Sequence, residues 1–165
     1  MKKQLLALAT LALLMVAGCK NNEKPEDIKS LKGNEARPTW TAPDEYDYTS
    51  SMTALIRIDL AAQYPAAAAD FAVQADDVLA AFAGNECLGV AELQDGLFYL
   101  YISGPSAEGQ TTDVTLRYWS AQYTNLFVAE NAFPFVNDDQ KGTAAEPFVP
   151  AMKLSANSAN RLRRA

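Results

Sequence analysis

Two cysteine thiols and twenty carboxylates are the side chains of this sequence best suited to chemistry, because the chain contains no histidine. Histidine is the commonest general base and the commonest transition-metal ligand, so zinc hydrolases and Ser-His or Cys-His nucleophiles are excluded. A glycosidase would need only two carboxyl groups roughly 5–10 Å apart. Among this many acidic residues some pair meets that spacing by chance, and no distinctive motif accompanies one. We therefore expect a protein that is not an enzyme and has no cofactor.

Cys19 ends an N-terminal segment with the three zones of a secretory signal. Lys2 and Lys3 precede an apolar run over residues 5–16, and small residues follow it. The run is too short to span a bilayer comfortably. Val16-Ala17-Gly18-Cys19 resembles the bacterial lipobox, in which the cysteine thiol receives a diacylglyceryl group and becomes the new N-terminus. The resemblance implies a cleaved lipoprotein signal peptide at residues 1–18 and a membrane anchor on Cys19.

The residue after the cysteine bears on the location. Lys20 stands where some Gram-negative lipoproteins carry the Asp that retains them in the inner membrane. This difference favours the outer membrane or the cell surface. The alternative is an ordinary secretory signal with an incidental cysteine.

Charge is distributed unevenly along the chain. Between Pro38 and Pro150 there are three basic residues and sixteen acidic ones, whereas the flanks of the mature chain carry a net charge of +5. Nucleic-acid binding depends mainly on Lys and Arg contacts to phosphate, so an acidic body of this kind excludes nucleic acid as a partner. After lipidation only Cys87 would remain as a free thiol, so stability must come from packing rather than from an intrachain disulfide.

The distribution of apolar residues predicts a tether, one domain and a tail. Residues 19–39 have almost no apolar content, which is typical of a flexible segment, and coil of this length reaches roughly 25 Å. Residues 40–150 form the predicted domain. Residues 151–165 are a polar and basic tail ending in Arg161-Leu162-Arg163-Arg164. Two alternatives remain for this tail: a solvated end, or a contact with anionic lipid or with the acidic body.

Alternating apolar residues in the middle of the chain predict β-strands. Met52, Ala54 and Ile56 share one side of an extended segment that has Thr53 on the other. Asp95-Gly96 separates two apolar runs and suits a tight hairpin turn. Six or more such strands predict an all-β antiparallel sandwich. The alanine-rich stretch 61–83 differs, and it predicts a loop or one short helix over residues 65–74, opened by Pro65, followed by a strand from Val78.

One stretch resembles a known module. Residues 81–91 read Ala-Phe-Ala-Gly-Asn-Glu-Cys-Leu-Gly-Val-Ala, and apolar strands at 98–102 and 114–118 follow. This A-F-x-G-x-E-C-x-G-x-A pattern resembles a recurring module of Gram-negative surface proteins and lipoproteins. The resemblance covers roughly residues 40–150, and it implies an immunoglobulin-like β-sandwich with no catalytic role. The chain departs from the pattern at Leu88, where members often carry a basic or polar residue.

Three side-chain groups have possible binding or reactive roles. The thiol of Cys87 is predicted to be buried and unreactive. Tyr99, Tyr101, Arg117 and Trp119 are predicted to point outward from two strands, where they could bind a sugar or a protein or simply stiffen the sheet. A second cluster near the domain entrance could pack on the sandwich edge, and it has no Asp-x-Asp-x-Asp-Gly loop, so no metal site is predicted. Its members are Trp40, Asp44, Glu45, Tyr46, Asp47 and Tyr48.

Together these patterns predict a lipid-anchored, non-enzymatic envelope or surface protein that acts in adhesion or ligand binding. One alternative is a carbohydrate-binding module for glycan capture, and another is a structural envelope protein. The expected partners are the membrane, through lipidated Cys19, and a glycan or protein ligand.

Overall fold

The computed structural model describes residues 28–44, 47–104 and 112–162. The predicted signal peptide and Cys19 lie outside these residues, as do Glu45, Tyr46, Arg163 and Arg164. The described part of the chain forms ten strands and two short helices. The strands are β1 (Ser50–Ile56), β2 (Val78–Ala83), β3 (Glu86–Val90), β4 (Glu92–Gln94), β5 (Leu97–Gly104), β6 (Asp113–Ser120), β7 (Asn125–Ala129), β8 (Phe133–Pro134), β9 (Gln140–Lys141) and β10 (Met152–Leu154). The helices are α1 (Leu60–Gln63) and α2 (Ala156–Leu162).

The strands build two sheets. The four-stranded sheet has the order β4-β5-β1-β9, and the other has the order β10-β7-β6-β2-β3, with β8 paired to β6. Most neighbouring strands are antiparallel, whereas β1 and β9 run parallel. The prediction of an all-β protein is confirmed at this level.

The alternating pattern of the strands explains where the core lies. Met52, Ala54 and Ile56 of β1 are buried, and exposed Thr53 points to the other face. Side chains from both sheets join a single apolar cluster, and the rings of Phe98 and Tyr118 meet edge to face at 5.9 Å. The two sheets therefore pack in a sandwich-like arrangement, with the core between their inner faces.

Tight turns lie where the sequence predicts them. Asp95 and Gly96 connect β4 to β5 with φ angles of 51° and 78°. Positive φ at both central residues matches a type I′ turn, whose twist suits adjacent antiparallel strands. The predicted hairpin is confirmed, and the strand predicted from Val78 corresponds to β2.

Two structures were predicted for residues 65–74 of the alanine-rich stretch, a loop or a short helix, and the protein has the loop. The short helix α1 lies before Pro65, and its first turn is capped by Asp59, whose carboxylate accepts from the Ala62 amide at 2.9 Å. Residues 65–74 form turns at 65–67 and 69–70 and contain neither helix nor strand. The prediction of a helix opened by Pro65 is wrong and the loop alternative is right, because the capping carboxylate sets the helix start and the ring of Pro65 lies just beyond its end.

Residues 28–40, named here the N-terminal strap, pack on the sandwich rather than belonging to the tether predicted to extend to residue 39. Leu31 is 1 % exposed and belongs to the apolar core. Trp40 packs edge to face on Phe82 at 5.2 Å. A few apolar side chains hold this polar segment in place, so the folded domain begins before the predicted boundary at residue 40.

The end of the domain also lies beyond its predicted boundary at residue 150. Strand β10 pairs with β7, and Met152 is buried. Ser155 follows, and its hydroxyl accepts from the Ser158 amide at 3.2 Å as α2 begins. At least the first part of the predicted polar tail is therefore folded.

Candidate functional site

The four residues predicted as one binding surface lie on two different sheets. Tyr99 and Tyr101 belong to β5 of the four-stranded sheet, whereas Arg117 and Trp119 belong to β6 of the other sheet. The outer faces of a sandwich point in opposite directions. The prediction of a single cluster of these four side chains is therefore wrong, because strand alternation assigns a face to each residue without assigning a sheet.

Trp119 is buried under the N-terminal strap. Its side chain is 6 % exposed, and its indole N–H donates to the backbone carbonyl of Glu35 at 3.1 Å. Phe82, a buried residue on the outer face of the same sheet, lies under the ring of Trp40 from the same strap. The strap thus covers this part of the sheet and leaves Trp119 unsuited to direct ligand contact.

Arg117 has structural contacts on the same face. Its guanidinium lies 4.0 Å from the ring centroid of Phe82, and Nη2 donates to the Gly84 carbonyl at 2.6 Å. A cation over an aromatic face contributes about 0.5–2 kcal/mol. These contacts join β6 to the β2–β3 turn, so Arg117 stiffens the sheet by cross-strand packing, which is the predicted alternative to ligand binding.

The opposite face, on the four-stranded sheet, exposes two aromatic rings. Tyr99 is 37 % exposed and Tyr101 is 55 % exposed. They lie two residues apart on one strand, so their Cα atoms are about 7 Å apart along it. We name the surface formed by these rings and their cross-strand neighbours the open face.

Cross-strand pairing supplies the polar neighbours of the open face. Tyr99 lies between Glu92 of β4 and Leu55 of β1, and Tyr101 pairs with Thr53, which in turn pairs with Gln140. A carboxylate, a hydroxyl and an amide therefore flank the two rings. Of these neighbours only Thr53 had a signal in the sequence, the alternation of β1, since the others depend on register between distant strands.

Two aromatic residues of the second predicted cluster, Trp40 and Tyr48, have separate partners. Trp40 packs on Phe82, and the hydroxyl of Tyr48 donates to the carboxylate of Glu86. This hydrogen bond is the main reason that the pKa of Tyr48 is raised to about 12. Within the described residues no group of three or more acidic or cysteine side chains could hold a metal ion. Glu45 and Tyr46 lie outside those residues.

Asp77 is a buried carboxylate that sequence reasoning missed. It is 6 % exposed, and it accepts from the Tyr118 hydroxyl at 2.5 Å, the Ala121 amide at 2.7 Å and the Gln74 amide at 2.9 Å. Burial raises its pKa, and the three donors oppose that rise. Burial also raises the pKa of Tyr118. Donors that saturate a carboxylate in this way indicate a structural role.

Cys87, which was predicted to be a buried thiol, is half-buried. Its thiol contacts the Gly89 carbonyl at 3.7 Å. Burial raises the pKa of the thiol, and the charge of Arg117 only partly offsets this effect. A raised pKa lowers the thiolate fraction, and the thiolate is the nucleophile.

Neither a family model, nor a curated protein, nor a solved structure gave a significant match to this chain. In the described part of the chain, every helix is too short or too polar to cross a membrane.

Proposed function

We propose that this chain is a lipid-anchored, non-enzymatic protein of the outer membrane or cell surface, whose open face binds a ligand in adhesion or ligand capture. The observation that carries the proposal is the asymmetry of the sandwich. The strap covers the part of one outer face that holds Trp119, whereas the opposite face leaves Tyr99 37 % and Tyr101 55 % exposed. Exposed aromatic rings grouped on one face favour contact with a partner.

The anchor belongs to the same proposal and depends on the sequence of residues 1–19. Several acyl chains on one residue hold a protein on a membrane far more firmly than one chain does. Incorporation of radiolabelled palmitate tests the anchor directly. We expect label in the parent protein and none in Cys19→Ala, and label in the variant would contradict an anchor at this residue.

The immunoglobulin-like topology and the relation to the Gram-negative surface module are also proposed. Two packed sheets support them, as do the positions of the motif residues. Gly84 lies in the β2–β3 turn with a φ of 57°, and Gly89 lies against the backbone of Tyr101. The motif glycines therefore occupy positions where backbone geometry favours glycine.

A glycan is the ligand class that the open face favours. Sugar rings present flat patches of C–H groups that stack on aromatic rings, while their hydroxyls need hydrogen-bonding partners. Tyr99 and Tyr101 supply the rings, and Glu92, Thr53 and Gln140 supply the polar groups. The alternative of a structural envelope protein needs no such combination.

Affinity electrophoresis in polysaccharide gels and a glycan array test this function. We expect retardation by at least one polysaccharide, and we expect Tyr101→Ala to abolish it. Val136→Ala is the matched control, since Val136 is 48 % exposed and belongs to neither β1 nor β5. Trp119→Ala is unsuitable because that side chain is buried. Equal retardation of parent and Tyr101→Ala would remove the open face as the binding surface, and a lack of glycan binding would leave a protein ligand to be sought by crosslinking.

A further inference from the structure

Arg57 adds one charged side chain to the open face. It directly follows β1, where a parallel bridge joins Ile56 to Phe148. The Phe148 amide donates to the Leu55 carbonyl at 2.9 Å, and the Arg57 amide donates to the Phe148 carbonyl at 3.0 Å. These bonds hold the backbone extended, and burial alternates along it, with Ile56 and Ile58 buried and Arg57 exposed. Because alternate side chains of an extended chain share one face, Arg57 points to the same side as Leu55.

The register of the sheet sets the position of Arg57 relative to the exposed rings. Leu55 pairs with Tyr99, so Arg57 lies two residues along the chain from the cross-strand partner of that tyrosine. Diagonal neighbours on one face are about 7–8 Å apart, a distance that long side chains can span. Glu92 of β4 pairs with Tyr99 on its other side. The ring of Tyr99 therefore lies between a carboxylate and a guanidinium.

The guanidinium of Arg57 has no structural role within the described part of the chain. Of the three basic residues between Pro38 and Pro150, the other two lie over aromatic rings. Arg117 is 4.0 Å from the ring centroid of Phe82, and the Lys141 ammonium is 4.4 Å from that of Phe148. The Arg57 side chain makes no ion pair, hydrogen bond or ring contact with any described residue. Its charge is therefore available to a ligand on the open face.

A guanidinium in this position favours a carboxylate on the ligand. Its planar fork donates two parallel hydrogen bonds to the two oxygens of a carboxylate. A ligand with many negative charges is disfavoured, because acidic residues outnumber basic ones by sixteen to three between Pro38 and Pro150. The surroundings of Arg57 thus favour a glycan that carries one carboxylate among neutral sugars.

We propose that Arg57 determines the specificity of the open face by binding the carboxylate of one acidic sugar in an otherwise neutral glycan. This inference rests on the proposed glycan-binding function. Tyr99 and Tyr101 stack on the sugar rings, Glu92 accepts from a sugar hydroxyl, and Arg57 donates to the carboxylate. Because the two charged groups lie on opposite sides of Tyr99, they give the glycan one direction across the strands.

Acidic oligosaccharides and their methyl esters test this specificity. Esterification removes the charge of the carboxylate and leaves the sugar in place. Sialyllactose and aldotetraouronic acid are suitable probes, since each has one carboxylate, and ligand-observed NMR titration measures weak dissociation constants. We expect at least one acid to bind the parent protein about fivefold more tightly than its ester at low salt. High salt should reduce this ratio, because it screens an exposed ion pair.

Variants of one residue separate the ion pair from general charge effects. Arg57→Gln should bring the affinity for the acid down to that for the ester and leave the ester unaffected. Arg57→Lys should keep part of the ratio, because it keeps the charge without the planar fork. Lys153→Gln is the matched control, since it removes one exposed charge from β10 of the other sheet and should keep the fivefold ratio.

The outcomes distinguish this inference from the proposed function. Equal affinity for acid and ester, with both weakened by Tyr101→Ala, would overturn the role of Arg57 and keep glycan binding at the open face. Binding of neutral glycans but of neither acid would do the same. An equal loss in Arg57→Gln and Lys153→Gln would show that only the net charge matters. If no glycan binds, charged or neutral, the proposed function itself fails.

Discussion

The hydroxyl of Tyr118 donates to the carboxylate of Asp77 across 2.5 Å, inside the sandwich and at the start of β2. The same carboxylate accepts from the backbone amides of Gln74 and Ala121. One side chain therefore joins the loop before β2, the strand β6 and the β6–β7 turn. This arrangement explains why an acidic residue is tolerated in a buried position.

Replacing this carboxylate should destabilise the fold. Asp77→Ala leaves two backbone amides and a phenol without their acceptor, and each unsatisfied buried group costs about 1–3 kcal/mol. We expect the free energy of unfolding, measured in urea by circular dichroism, to fall by about 3 kcal/mol or more. Asp76→Ala is the control, since Asp76 is exposed, and it should change stability little. Equal stability of the two variants would contradict a structural role for Asp77.

The pH dependence of stability should carry a signature of Asp77. Burial raises its pKa in the folded protein above the ordinary value of 3.8, so between these two values the folded state binds more protons than the unfolded state. The contribution of Asp77 to the free energy of unfolding therefore falls as pH rises from 3.8 to the raised pKa. Above the raised pKa this contribution does not change further with pH. The stability of the parent minus that of Asp77→Asn, measured across this range, should fall with rising pH. A difference that rises with pH would mean that the three donors outweigh burial.

Gly89 should be far less tolerant of substitution than Gly84. A Cβ at Gly89 would lie 2.0 Å from the backbone oxygen of Tyr101, so β3 or β5 must shift, whereas a Cβ at Gly84 would meet nothing within 4 Å. We expect Gly84→Ala to cost about 1 kcal/mol through its positive φ. Gly89→Ala should cost about 3 kcal/mol or more, because overpacked backbone cannot relax cheaply. Urea unfolding of the two variants checks this order, and the reverse order would contradict the close approach of the strands.

Local patterns were sufficient to predict the strands and one hairpin. The alternation around Met52 depends on neighbouring residues only, and Asp95-Gly96 is a turn signal with its own backbone requirement. The open face depends instead on register between distant strands. Tyr99 and Trp119 both lie on outward faces, yet the sheet that each belongs to, and the strap that covers one of them, follow from tertiary pairing.

The domain boundaries were missed for a related reason. The strap is polar apart from a few side chains, so its composition resembles that of a tether. Its order depends on Leu31 entering the core and on Trp40 packing against Phe82. Such contacts leave no periodic signal in the sequence, because each depends on a surface built by residues far along the chain.

Cys87 should react slowly in the native protein. Its thiol is half-buried and burial raises its pKa, so little thiolate is present at neutral pH. We expect a thiol reagent to label the native chain more slowly than the same chain unfolded in urea, by about tenfold or more. The chain should lack lipid on Cys19 and carry Cys19→Ser, so that a single thiol is counted. Equal rates in the two states would contradict the burial of this thiol.

Shortening one side chain in the strap should detach it from the sandwich. Leu31 is fully buried, and Leu→Ala substitutions in cores cost about 2–5 kcal/mol. Both tryptophans report on the strap, since Trp40 packs on Phe82 and the Trp119 indole donates to the Glu35 carbonyl. In Leu31→Ala we therefore expect a red-shifted tryptophan emission and faster proteolytic cleavage before Trp40.

Thr39→Ala is the control for the strap, because Thr39 is exposed in the same segment. It should leave both the emission and the cleavage rate close to those of the parent. If Leu31→Ala behaved like this control, the strap would not be an integral part of the domain.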